Sequence, residues 1–171
     1  SKSSSIFSYK KLNYFNNYYL REEKGFEKFK DYCTNNEKLN NLLKKNKIKM
    51  ELIYHTYKKD LNNFGEISKI TDVYFDEKYK INLDEKLSKE FEQIAHNFIK
   101  KITFIENWTR DNIQKMIEDF LKTNNLKFPV LGKPIRFLLI NSYNGPSISD
   151  IFVILGKKES LERLNQYIEK I

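Results

Sequence analysis

The chain has 171 residues, 40% of them hydrophobic and 15% aromatic, so it is long enough to bury a sizeable core and too apolar to be a disordered segment. Only 5 Gly and 3 Pro leave little punctuation for a many-turned β fold, and long helices are the expectation. A formal charge of +8 makes an anionic partner plausible, and the single cysteine, Cys33, rules out an internal disulfide or a Cys-based zinc site.

One thiol predicts a reducing cytoplasm, and no apolar run approaches the roughly 18 residues that span a bilayer. Neither a signal peptide nor a membrane partner is expected. The first residue is Ser rather than Met, and the expectation is a piece of a longer protein.

From the start, Phe7, Leu12, Phe15 and Tyr19 have the spacing of an amphipathic helix over residues 6–20. Residues 38–61 predict two further helices, the second with Ile48, Leu52 and Tyr57 or Thr56 inward. Seven lysines between Lys38 and Lys59 face a single acid, Glu51. Such a run is either a solvated helix face or a phosphate-binding surface. Residues 67–75 carry a short pattern, and the charged stretch 76–82 reads as a connection.

The strongest periodicity runs from about Asp84 to Ile102 through Leu87, Phe91, Ile94, Ala95 and Phe98. Acids at its start and lysines at its end suit the helix dipole. Thr109 can cap a helix bearing Ile113, Met116, Ile117, Phe120 and Leu121, ending at Asn124 and Asn125. Pro129, Gly132 and Pro134 then break the chain, with Pro134 expected to begin the next short helix. Ser147 or Ser149 can cap another helix that Gly156 stops, and Leu161, Leu164, Ile168 and Ile171 line the last. The fold class predicted is all-α, in two subdomains, 1–104 and 105–171.

No Gly-rich phosphate loop, HExxH or Gly-x-Ser-x-Gly is present, and His55 and His96 stand apart within helical patterns. No catalytic residue, metal or cofactor is expected in this segment. The stretch GKPIRFLLINSYNGPSISDIFVILGKKE places Arg136 in a short apolar helix beside a loop of Asn144, Gly145 and Pro146. Such a corner suits an unstacked RNA base, because a guanidinium offers both a planar hydrogen-bonding fork and a stacking face.

Two stretches and a dipeptide carry a family resemblance. Phe7, Lys11, Leu12, Tyr14, Asn16, Tyr19, Leu20 and Arg21 resemble the segment that follows the catalytic domain of bacterial glutamyl-tRNA synthetases. Pro134, Ile135, Arg136, Pro146, Leu155, Gly156 and Lys157 resemble that family's final Pro-Leu-Arg, loop and Leu-Gly-Lys motif, and Trp108-Thr109 stands at its Trp-Thr. The resemblance implies a short stem-contact remnant, two helical anticodon-binding subdomains, and a class I glutamate-tRNA ligase whose ATP- and Mg-binding catalytic domain lay before Ser1. It implies a cytoplasmic monomer that binds glutamate tRNA. The alternatives are a free-standing basic RNA-binding module and a helical protein-interaction domain.

By the same resemblance, Arg136 contacts the anticodon, Gly145, Pro146 and Ile148 pack on its bases, and Lys44, Lys45, Lys58 and Lys59 face its phosphates. The usual Thr-Gly before the loop reads Ile140-Asn141 here, and Gly145 stands where a Thr can. Counting back from Phe64 and Ile67, Asp60 falls where some members place an Arg that separates glutamate from glutamine tRNA. An acid cannot make that contact, so loose reading of the third base and binding of glutamine tRNA are also expected.

Overall fold

The computed structural model describes residues 21, 24–82 and 87–170. The helix expected over residues 6–20 lies outside them, as do Asp84, Glu85 and Ile171. Every regular element among the described residues is helical, as the composition predicts. The chain divides into two compact units, Ser1–Phe75 and Asp76–Ile171. The division therefore falls well before residue 105.

In the first unit α1 (Gly25–Thr34), α2 (Glu37–Lys45), α3 (Lys47–Tyr57) and α4 (Ile67–Tyr74) occur in that order, with a 3-10 turn at Phe64–Glu66. Asn36 and Asn46 cap α2 and α3, their side-chain oxygens accepting from Leu39 N at 3.0 Å and Lys49 N at 2.9 Å. Each cap satisfies one of the backbone donors left open at a helix start. The core is aromatic: Phe29 stacks on Tyr54 with centroids 5.4 Å apart, and Phe26 and Phe64 flank the pair.

That stack sets the rotation of α3. Counting from Tyr54 in helical steps places Met50 and Ile53 inward, and both are fully buried. Ile48 points away and is 74% exposed, and Leu52 is half-buried, contrary to the expected inward face.

The second unit holds α5 (Lys89–Thr103), α6 (Arg110–Thr123), α7 (Phe128–Ile140), α8 (Ile148–Leu155) and α9 (Lys157–Ile168). Helix α5 packs on α6, α7 and α9, so it is part of the second unit's core and not of the first. It starts at Lys89 behind the cap Ser88, later than the periodicity suggested. Thr109 caps α6 and Gly156 ends α8 at φ 78°, as read from the sequence, and of the two serines offered for the start of α8 it is Ser147 that caps it.

Helix α7 corrects the expected break. Pro129 lies in its first turn, where a missing N–H is harmless, and Pro134 lies inside it. Pro134 removes one helical hydrogen bond, but the helix is held by its surroundings: Leu131, Ile135, Leu138 and Leu139 are fully buried. A Cβ on Gly132 would stand 2.4 Å from the Phe128 ring, so the glycine is what lets that ring lie against the helix.

The stretch 76–82 is not a bare connection. Tyr79 and Ile81 are buried, and the Tyr79 hydroxyl donates to the Leu138 carbonyl at 3.2 Å. Gln166 on α9 binds this segment twice, accepting from Ile81 N at 3.2 Å and donating to Tyr79 O at 3.0 Å. The inward face of α9 is Ser160, Arg163, Leu164 and Tyr167, so an arginine takes a place that apolar periodicity assigned elsewhere; Leu161 and Ile168 are half-buried.

Candidate nucleic-acid interface

Helix α7 ends at Asn141, which takes a left-handed conformation at φ 51°. A short polar side chain tolerates that conformation. The Asn141 amide then grips the segment before α5: Nδ2 donates to Lys80 O at 2.9 Å and Oδ1 accepts from Asn82 N at 2.9 Å. A residue that departs from the expected Gly thus anchors the start of the loop. Its side-chain partners lie about 60 residues away in sequence, beyond the reach of any local pattern.

The loop 142–147 folds around Arg136. Arg136 Nε donates to Pro146 O at 3.0 Å and Nη1 to Tyr143 O at 2.9 Å. Ser142 Oγ donates to Asn144 O at 2.8 Å, closing a small polar turn. Gly145 has φ 145°, and a Cβ there would meet Ile140 Cδ1 at 3.4 Å and Arg136 Cδ at 3.6 Å. The glycine therefore serves the backbone path, in a conformation other residues rarely adopt.

The geometry sets what each of these side chains can offer. Nε and Nη1 of Arg136 are engaged by loop carbonyls, so the arginine braces the corner. Asp150, in the first turn of α8, binds Arg110 Nε at 2.7 Å and accepts from Ser147 Oγ at 2.5 Å. Ile148 is 1% exposed and belongs to the core, which leaves it no surface to offer a base. Pro146 is half-buried and Gly145 exposed. Beside them Phe137 and Tyr143 stack with centroids 4.8 Å apart and rings 16° from parallel.

The basic run of the first unit is divided by α3. Lys44 and Lys45 are exposed in the last turn of α2, whereas Lys58 and Lys59 lie in the turn after α3. Helix α3 has 11 residues, which separates the two groups by roughly 16 Å at about 1.5 Å per residue. Lys38 is committed internally, donating to Ser68 O at 2.7 Å and to Asp72 Oδ1 at 2.5 Å. Lys49 lies over the Phe75 ring, 5.0 Å from its centroid. Asp60 is exposed beside Lys59, whose carbonyl accepts from Arg21 Nη2 at 2.9 Å.

The remaining motif residues act as pins. Trp108 Nε1 donates to Phe152 O at 2.9 Å and its ring meets the Phe152 ring edge-on. Lys157 Nζ donates to Ile105 O at 2.7 Å, tying the start of α9 to the end of α5. His55 and His96 are exposed, and the described residues hold no group of three or more His, Cys, Asp or Glu placed for a metal. No helix among them is long and apolar enough to cross a membrane. Burial pushes the Tyr79 hydroxyl up to about 12, keeping it a neutral donor, with Arg163 partly opposing the shift.

A family model described as an anticodon binding domain matches residues 22–168. The chain belongs to the anticodon-binding domain family. It is similar to the glutamate–tRNA ligase of Mycoplasma capricolum, 27% identical over 96% of this chain and 35% of the relative. Glutamate–tRNA ligase 1 of Fervidobacterium nodosum is 29% identical over 69% of this chain and 24% of the relative. The crystal structure of a glutamate tRNA ligase from Elizabethkingia meningosepticum shares the fold, with a TM-score of 0.71 at 23% identity over 98% of this chain and 34% of that one. This anticodon-binding domain spans about a third of the length of the curated relatives it matches along its whole length.

Proposed function

We propose that this chain is the tRNA anticodon-recognition region of a glutamate–tRNA ligase. The observation that carries the reading is the match to glutamate–tRNA ligases along 96% of the chain. On this reading the chain holds the anticodon arm so that the acceptor end reaches a catalytic part outside these 171 residues. That part would bind ATP and Mg and join glutamate to the tRNA. The cytoplasm is the proposed compartment and a monomer the proposed state.

Recognition is assigned to the loop that Arg136 braces. A loop closed by two hydrogen bonds and a proline loses little entropy on binding, so it forms a ready wall for unstacked bases. Lys44 and Lys45, and separately Lys58 and Lys59, supply phosphate contacts, which position a nucleic acid without reading its sequence. Asp60 supports acceptance of both glutamate and glutamine tRNAs, since an exposed carboxylate cannot donate to a base edge.

The test is binding of the chain to glutamate, glutamine and unrelated tRNAs at low and high salt, with Arg136→Ala alongside. Preference for the first two, weakened by the substitution, is the expected result. Equal binding to all three, indifferent to Arg136, would reduce the chain to a basic RNA-binding surface. Failure to bind any tRNA at low salt would leave a protein-interaction domain. A strong preference for glutamate over glutamine tRNA would remove the role given to Asp60.

A further inference from the structure

Arg110 is the first residue of α6, directly behind the cap Thr109. A cation gains nothing from that position, because the helix dipole makes this end positive. Arg110 Nε donates to Asp150 Oδ1 at 2.7 Å, and Asp150 in turn accepts from Ser147 Oγ at 2.5 Å. The guanidinium is thereby fixed from the first turn of α8.

Helices α6 and α8 do not depend on this pair for their packing. Ile113 and Ile117 on one and Ile151 and Phe152 on the other are fully buried, and an exposed ion pair adds little to such a core. The Arg110 side chain is 54% exposed, and Nη1 and Nη2 have no hydrogen-bond partner among the described residues. Asp150 leaves the pair open to an anion, since its carboxylate is also offset by the positive end of α8. Asp111 is exposed and one residue further on, where helix side chains do not face each other.

We propose that Arg110 is a phosphate-binding residue for the RNA backbone, taking one phosphodiester of the anticodon arm on Nη1 and Nη2. The proposal rests on the anticodon-arm recognition proposed above, and it adds a cation outside the lysine groups and the Arg136 motif. A guanidinium suits a phosphate because its planar donors match two oxygens at once. The contact positions the backbone and reads no base.

The test uses the 171-residue chain and RNA hairpins of the glutamate anticodon arm, with one phosphate at a time replaced by an uncharged methylphosphonate. Replacement at the contacted phosphate should weaken wild-type binding roughly five- to eightfold near 0.1 M salt, the share of one counterion-releasing contact. Arg110→Ala should weaken binding to the unmodified hairpin by the same factor and lower the salt slope by about 0.7 to 0.9. The two losses should not add, so that in Arg110→Ala this one methylphosphonate costs nothing further. Arg110→Lys should keep the slope and lose part of the affinity, because an ammonium lacks the planar fork.

Full additivity of Arg110→Ala with every methylphosphonate, or an unchanged slope, would overturn the proposal. The proposed function would stand if replacing Lys44 and Lys45 by alanine still lowered the slope. Wild-type binding that no methylphosphonate weakens, and that an unrelated hairpin matches, would overturn both. If Arg110→Ala lowers the melting temperature, Arg110→Gln, which keeps a donor for Asp150, takes its place. The same loss of slope is expected there, and an unchanged slope would overturn the proposal.

Discussion

The guanidinium of Arg163 lies over the ring of Tyr79, 3.7 Å from its centroid. Arg163 is 1% exposed, donates through Nη1 to Leu139 O and pairs through Nη2 with Glu159 at 2.6 Å. It thereby fastens the segment before α5, the end of α7 and its own helix to one another. Truncating a large, fully buried side chain typically costs about 2–5 kcal/mol, and here the Leu139 carbonyl also loses this donor, whereas the half-buried Glu159 can turn to solvent. Arg163→Ala should reduce stability on that scale in urea unfolding. Tyr79→Phe, which removes only the hydroxyl's contacts with the Leu138 and Phe137 carbonyls, should cost about 1 kcal/mol. Equal effects of the two would show that the buried guanidinium contributes no more than the Tyr79 hydroxyl.

Asn141 offers a cleaner dissection of the loop's anchor. Asn141→Gly keeps the left-handed backbone and removes both bonds to residues 80 and 82. Asn141→Ala removes the same bonds and adds the strain of a Cβ at positive φ, roughly 1–2 kcal/mol more. Thermal unfolding should therefore rank wild type above Gly and Gly above Ala. If the two variants melt together, the backbone at 141 has relaxed out of its left-handed state.

The two lysine groups should act independently, being roughly 16 Å apart along α3. Each lysine on a phosphate contributes about 0.7 to 0.9 to the slope of log affinity against log salt. Replacing Lys44 and Lys45 by alanine, or Lys58 and Lys59, should lower the slope of tRNA binding by about 1.4 to 1.8 in each case, and the two reductions should add. Lys38→Ala should leave the slope alone, because its ammonium is already bound to Ser68 and Asp72. An unchanged slope after either pair is replaced would remove that pair from the interface.

How far the fold could be read from the chain depends on the range of the interactions involved. Thr109 and Ser147 start helices and Gly156 ends one through bonds or backbone angles within a few residues; Thr109 and Gly156 were readable directly, and Ser147 as one of two candidate caps. The rotation of α3 was not, because KIKMELIYHTY is apolar on several faces and the choice was made by Phe26 and Phe29 on another helix. Pro134 misled because a local rule against helical proline yields to a helix whose surroundings hold it. The site divides the same way. Arg136 and the Asn-Gly-Pro loop stand out in the sequence, whereas the burial of Ile148 and the stack of Tyr143 on Phe137 exist only after α7 and α8 have packed.

Cys33 carries a pH prediction for the first unit. Its side chain is fully buried in α1, and burial pushes the thiol from 9.0 up to about 11. The neutral form is favoured in the folded chain, so the unfolded chain gives up its proton first as pH rises. The stability tied to this group is complete below pH 9.0 and is lost as the pH climbs toward about 11. Buried tyrosines shift in the same direction, so wild type must be compared with Cys33→Ala, in which they are retained. The urea midpoint of the wild type should fall more steeply across that window than the variant's. Alkylation of the folded protein by iodoacetamide at about pH 7 should be slow, because the reactive thiolate is scarce and the sulfur is covered. Equal slopes in the two proteins would mean that the thiol ionises as readily folded as unfolded, and that α1 opens to solvent around it.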